Sequence, residues 1–171
     1  FGSVTITEPP LLTVTMDSTD VSCSGVCDGK VVATPTGGTL PHTFLWETGA
    51  GIDFIVALCP EFWSVTITDS NGCTVIDSAE VNDQTLLTVA TDSIDILCFG
   101  DFTGSAIADP SGGVPPYTIL WTPTGQTSDT ASGLDTGLYC VLVTDTNGCT
   151  ATACVNLDEP LLLSVAMSQV D

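Results

Sequence analysis

Apolar and polar residues alternate with a period of two along almost the whole chain. Val4-Ile6, Val14-Met16, Val31-Ala33, Phe44-Trp46, Trp63-Val65-Ile67, Tyr139-Val141-Val143 and Ala151-Ala153-Val155 each put apolar side chains on one face of an extended segment. No segment sustains an apolar stripe of i, i+3, i+4 period, so no amphipathic helix is predicted. The alternating runs are short and lie between clusters of Gly, Pro, Asn and Asp. That pattern predicts an all-β protein built of antiparallel sandwiches. It predicts seven strands in a first unit, at 12–16, 19–22, 29–34, 42–47, 52–56, 62–69 and 73–80. A second unit has them at 87–91, 94–97, 104–108, 117–121, 127–133, 138–145 and 149–156.

The pattern recurs because the sequence does. Leu11-Leu12-Thr13-Val14 returns as Leu86-Leu87-Thr88-Val89, and Cys23 as Cys98, an offset of 75 (98 − 23). Asp69-Ser70-Asn71-Gly72-Cys73-Thr74 returns as Asp145-Thr146-Asn147-Gly148-Cys149-Thr150, an offset of 76 (145 − 69). Two copies of one small domain are expected, each with its own core. Residues 11–85 form repeat 1 and 86–160 form repeat 2. Residues 1–10 read as the last strand of a preceding repeat, and 161–171 as the first strand of a following one. The chain thus reads as a window on a longer array with short, stiff linkers such as Glu8-Pro9-Pro10. Within each repeat, Asp-Xaa-Asn-Gly-Cys predicts a three-residue hairpin loop, with Gly in the left-handed region and Asp paired to Cys.

Composition removes whole classes of partner. The chain has 21 acidic residues against one Lys or Arg, a net charge of −20. Phosphate backbones and anionic membrane surfaces find nothing to neutralise them, so neither nucleic acid nor membrane is an expected partner. No apolar run reaches the ~20 residues of a membrane span. With 43% hydrophobic residues the chain is not a disordered acidic tail.

Eight Cys in such a chain imply a disulfide framework and an extracellular or cell-surface location. The repeat supplies an internal comparison. Cys23 and Cys73 are matched in repeat 2 by Cys98 and Cys149. Cys27 and Cys59 both lack counterparts in repeat 2, and Cys140 and Cys154 both lack them in repeat 1. Partners that come and go together are most simply bonded. Counting outward from the Asp145/Cys149 pair also places Cys140 opposite Cys154 at a non-hydrogen-bonded site, where Cα atoms approach to ~4.5 Å. The expected bridges are Cys23–Cys73, Cys27–Cys59, Cys98–Cys149 and Cys140–Cys154.

Catalytic chemistry is poorly supplied. His42 and Lys30 are the only His and Lys, which leaves little for Ser-His or Lys-based nucleophilic sites. His42 aligns with Tyr117 and reads as an aromatic substitute. Trp46, Trp121 and Trp63 alternate along strands and read as core. Neither an enzyme nor a cofactor is expected. Cys23 and Cys27 have a zinc-ligand spacing, but repeat 2 lacks the second Cys and no His is near, so the cation kept as a candidate is Ca2+, at Asp17 and Asp20 and the equivalent Asp92 and Asp95.

The order Val21-Ser22-Cys23-Ser24-Gly25-Val26-Cys27-Asp28-Gly29, then Gly37-Gly38-Thr39, Trp46, Leu58-Cys59-Pro60 and Val65-Thr66-Ile67-Thr68-Asp69-Ser70-Asn71-Gly72-Cys73-Thr74, resembles the SprB-type repeat. Repeat 2 carries Gly112-Gly113-Val114-Pro115-Pro116-Tyr117 and Val143-Thr144-Asp145-Thr146-Asn147-Gly148-Cys149-Thr150. Glu61-Phe62-Trp63 departs from that family's usual Gly-Thr-Tyr. The resemblance implies tandem Ig-like or PKD-like antiparallel β-sandwich domains stabilised by disulfides. It implies a surface adhesin or filament of gliding and other Bacteroidota, exported by type IX secretion and serving adhesion or gliding. Expected partners are neighbouring repeats or identical subunits in a fibre, and surface polysaccharide. A carbohydrate- or calcium-binding adhesion module is the alternative. The resemblance also implies O-glycosylation at Asp-Ser/Thr motifs, favouring Ser18 and Ser93, with Thr130 as a further candidate.

Overall fold

The computed structural model of the chain describes residues 8–165. Its strands are β1 (Thr13–Thr19), β2 (Gly29–Thr36), β3 (Thr43–Trp46), β4 (Phe54–Leu58), β5 (Glu61–Thr68) and β6 (Thr74–Val81). They recur as β7 (Thr88–Ile94), β8 (Gly104–Ser111), β9 (Thr118–Thr122), β10 (Thr130–Leu134), β11 (Gly137–Thr144) and β12 (Thr150–Leu157). The chain divides into two compact units between Gln84 and Thr85. No helix is present among the described residues.

Each unit is a sandwich of two three-stranded antiparallel sheets. Unit 1 has the orders β1-β2-β4 and β3-β5-β6; unit 2 has β7-β8-β10 and β9-β11-β12. Both units are Ig-like in architecture. Register follows the alternation read from the sequence. Val31 and Ala33 of β2 and Ile55 of β4 face Trp46, Val65, Ile67 and Val81 from the opposite sheet. In unit 2, Ala106, Ala108 and Ala131 face Trp121, Tyr139, Val141, Val143 and Leu157. A one-residue slip would turn each of these sets to solvent, so the buried face fixes the register.

Six strands form per unit where seven were predicted. The first two expected strands are one. β1 stays paired with β2 from Thr13↔Thr36 through Thr19↔Lys30, and β7 likewise with β8. The chain then leaves the sheet at Asp20 and at Asp95, and Val21 and Ile96 drop into the cores as single buried anchors. The strand expected over 161–171 is absent over 161–165, and its remainder lies outside the described residues, as do residues 1–7 of the strand expected over 1–10. Neither 8–10 nor 161–165 is in a strand.

Candidate functional site at the unit poles

Each unit has an entry pole, where the chain arrives, and an exit pole, where it departs. At the entry pole of unit 1 the Gly38 N–H donates to the Pro10 carbonyl at 2.8 Å; in unit 2 Gly113 donates to Thr85 at 2.9 Å. The preceding glycines explain why the turn is Gly-Gly. Gly37 and Gly112 have φ of +72° and +75°, and a Cβ on either would lie 2.0 Å from the carbonyl oxygen of Leu11 or Leu86. Only glycine lets the incoming strand pass so close.

The Asp-Xaa-Asn-Gly-Cys hairpin closes against this turn. Asp69 N–H donates to the Cys73 carbonyl at 2.9 Å, Asp145 to Cys149 at 3.0 Å, and Gly72 and Gly148 take φ of +86° and +87°. The aspartate side chains are 5% exposed. One oxygen of Asp69 accepts from Asn71 and Cys73 N–H, both at 2.9 Å, and the other from Thr39 N–H at 3.0 Å. Asp145 accepts in the same way from Asn147, Cys149 and Val114. Burial opposes ionisation of Asp69, but the N–H groups of Cys73, Thr39 and Asn71 outweigh it and hold the carboxyl below its ordinary 3.8. For Asp145 the Val114 N–H is the largest influence, and it too lies below 3.8. The sequence marked these residues as turn formers; their role in tying the hairpin to the Gly-Gly turn was not visible.

His42 fills the place of Tyr117. The Tyr117 hydroxyl donates to the Gly112 carbonyl at 2.6 Å, and His42 Nε2 lies 3.1 Å from the Gly37 carbonyl. Trp46 and Trp121 are buried, their indole N–H groups donating to Ile52 and Ser128 carbonyls at 2.7 and 3.1 Å. They are core residues and offer no face for stacking a sugar.

At the exit pole the acidic residues hold the departing chain. One Asp20 oxygen accepts from the Asn82 N–H at 2.9 Å and from its side-chain amide at 3.1 Å. Asp95 accepts from the Asp158 N–H at 3.1 Å. Asp83 and Glu159 reach back to the loops after β1 and β7, accepting from Gly25 and Gly100 N–H. Asp17 and Asp92 lie in strands instead, paired with Val32 and Ile107. Asp92 caps the N–H of Ser93 at 2.8 Å. Among the described residues no group of three or more His, Cys, Asp or Glu is placed to hold a metal ion. Asp28 supports the exit loop by accepting from Ser22 N–H at 2.8 Å, and its hydrogen bonds with Ser22 hold its carboxyl below 3.8. Thr103 does the same for Leu97 N–H in unit 2.

The poles also decide the cysteines. Cys27 is bonded to Cys59 and Cys140 to Cys154, each with a Cα–Cα distance of 4.0 Å. The expected Cys23–Cys73 and Cys98–Cys149 bridges are not made: Cys73 and Cys98 are exposed free thiols. The reason is topological. Cys23 sits in the exit-pole loop and Cys73 in the entry-pole hairpin, with the seven-residue β1 running between the poles. At ~3.3 Å per residue the poles are roughly 20 Å apart, whereas a disulfide needs Cα atoms within ~7 Å. Cys98 and Cys149 are separated in the same way by β7.

Ser18 and Ser93 lie inside β1 and β7 rather than in a turn, opposite Val31 and Ala106. Ser18 is exposed, while Ser93 and Thr130 are half-buried. Because β1 and β7 are edge strands, a group on either hydroxyl would stand at the rim of a sheet.

Comparison with known proteins bears on the same segments. Residues 15–51 and 90–126 match the family model of the SprB repeat. Both segments are thus similar to the SprB repeat. These repeats occur in cell-surface proteins, and the family and its Ig-like fold are typically structural rather than enzymatic. Each matched segment runs from the first strand of its unit, through the exit-pole loop, to the turn that follows the buried Trp. Among solved structures, the chain is similar to a C-terminal 282-residue fragment of intimin in complex with the intimin-binding domain of its translocated receptor (16% identity, TM-score 0.41, 87% of this chain and 64% of that one). It is also similar to the N-terminal four Ig domains of Dscam1 isoform 9.44 (13% identity, TM-score 0.41, 91% and 47%). The chain thus spans less than two thirds of either structure. A comparison with curated proteins found no match.

Proposed function

We propose that these SprB-like repeats form part of the stalk or fibre body of an extracellular adhesin or filament, serving adhesion or gliding. The observation that carries this reading is the duplicated polar clasp. Each unit receives the chain at one end through its Gly-Gly turn and releases it at the other through an Asp clasp. A unit so built passes tension from one pole to the other through its own sheets. The chemistry repeated in both units is spent on holding the chain, since the buried Asp and Trp and the half-buried His/Tyr side chains all have backbone partners. Neighbouring repeats or identical subunits are the partners this reading requires, and no cofactor takes part. Disulfides and the near absence of Lys and Arg suit an environment that is oxidising and rich in proteases.

Electron microscopy of chains with increasing numbers of units tests the proposal. Thin rods whose length grows by a constant step per unit are expected. Compact particles would overturn it. A glycan array and calorimetry with Ca2+ on the same samples test the binding-module alternative, for which specific binding would be required.

A further inference from the structure

Two thiols stand out at opposite ends of the repeat plan. Cys73 lies at the entry pole of unit 1 and Cys98 at the exit pole of unit 2, both exposed and unbonded. Their repeat equivalents behave differently: Cys149, in the place of Cys73, and Cys23, in the place of Cys98, each carry a disulfide. Both positions are therefore competent to be oxidised, and neither pair can close within its own unit.

The surfaces around the two thiols are suited to each other. Cys73 lines a groove of about 500 Å³ together with Pro9, Pro10, Leu11, Leu12 and Gly38. Leu11 is 82% exposed there. Cys98 is flanked by Leu97, Phe99 and Phe102, exposed by 75%, 51% and 65%. The same loop in unit 1 reads Ser22-Cys23-Ser24-Gly25-Val26-Cys27 and carries no aromatic. Three exposed large apolar side chains thus share one short loop with the thiol, an apolar segment fit to be covered by a partner.

We propose that Cys98 of one copy of this chain bonds to Cys73 of a second copy, with Leu97, Phe99 and Phe102 seated in the groove at the entry pole. The proposal rests on the array reading and names the lock between its members. The reaction is a two-electron oxidation with a small-molecule disulfide as oxidant. The Cys98 thiolate attacks one sulfur of that disulfide and expels a thiolate, leaving a mixed disulfide. The Cys73 thiolate then attacks the Cys98 sulfur and expels the second thiolate. Two protein thiols lose two protons and two electrons, and the oxidant leaves as two thiols. Because the two surfaces differ, the contact is head-to-tail and can continue without closing.

The test uses the 171-residue chain with oxidised glutathione, non-reducing gels, and mass spectrometry of an Asp-directed digest. The parent chain should give a ladder at multiples of 17.6 kDa that collapses on reduction, with a Cys98–Cys73 peptide between copies. Cys73→Ser and Cys98→Ser alone should give little dimer. An equimolar mixture of the two should give at least tenfold more, all of it joined Cys98 to Cys73. Phe102→Ser should slow ladder growth several-fold while both thiols stay reactive toward a maleimide. Single variants that dimerise as readily as the mixture would overturn the proposal, as would loss of both thiols without a ladder. Rods in the microscope without this cross-link would remove the lock and leave the array reading standing.

Discussion

The two units share every strand and differ in where they are stapled. In unit 1 the bridge ties the exit-pole loop at Cys27 to Cys59, just after β4. In unit 2 it crosses from β11 to β12, at Cys140↔Cys154, where unit 1 pairs Ser64 with Ser78. The cores differ too. The cross-strand pair Val31/Ile55 of unit 1 becomes Ala106/Ala131, while Val21 and Val81 become Ile96 and Leu157. Volume lost on one sheet is regained elsewhere, as a close-packed core demands. What does not vary is the polar machinery: the Gly-Gly turn, the buried hairpin Asp, the Trp and the Asp at the exit. The fold therefore tolerates movement of its staples and its bulk, but not of the devices that hold the chain at its ends.

That comparison can be broken in several ways. The largest effect should come from emptying either core: Trp46→Ala or Trp121→Ala is expected to cost about 4 kcal/mol, read by denaturant unfolding. Similar losses from the two replacements would show that the cores are equivalent despite their different fillings. Removing the staples should separate the units. Cys27→Ser with Cys59→Ser opens a bridge of sequence separation 32 and should cost about 4 kcal/mol in the chain-entropy model. Cys140→Ser with Cys154→Ser opens one of separation 14 and should cost about 3 kcal/mol. An equal or reversed order would show that native strain, rather than loop length, sets the staple's worth.

The shared entry-pole device comes next. Gly37→Ala and Gly112→Ala place a Cβ against a carbonyl in a left-handed residue and should each cost about 2–3 kcal/mol, seen as a lowered Tm. The hairpin carboxylates give a pH signature. Their folded pKa values lie below the ordinary 3.8, so the stability they supply is complete above that value and is lost as the pH falls through the folded values. Asp69→Asn and Asp145→Asn should destabilise at pH 7, because an amide NH2 would then face the Thr39 or Val114 N–H. The same variants should lose less than the parent between pH 5 and 2. Parallel Tm curves over that range would contradict the assignment.

The smallest expected effect has the opposite sign. Ala57 takes φ +59° in the irregular β2–β4 pairing, where unit 2 has Gly133 at +70°. Ala57→Gly should stabilise unit 1 by about 1 kcal/mol. No gain would mean that the bulge relaxes around Ala.

Legibility in the sequence followed separation along the chain. The alternation and the Asn-Gly loops report on neighbours, so the sheets and hairpins could be read directly. Cys140 and Cys154 lie on one hairpin and their facing could be counted from its turn. Cys23 and Cys73 could be paired only by co-occurrence, which carries no information about which end of the sandwich each occupies. That depends on the direction of β1, which long-range pairing with β2 decides. The clasp between Asp20 and Asn82 spans 62 residues and was invisible for the same reason. The sequence therefore offered Asp20 only as a candidate Ca2+ ligand and did not reveal that it accepts from the Asn82 backbone. The merger of the first two expected strands has a local cause: Asp17-Ser18-Thr19 is polar enough to suggest a turn, yet its backbone groups find partners in β2.

Lys30 carries a practical consequence. Its ammonium lies 5.5 Å from the centroid of the Phe54 ring, on a paired strand of unit 1. Apart from the α-amino group it is the one primary amine in the chain. An amine-directed fluorophore would therefore mark one side-chain position per molecule, opposite Thr19 beside the exit pole of unit 1. A growing fibre could then be watched through one side-chain dye per chain.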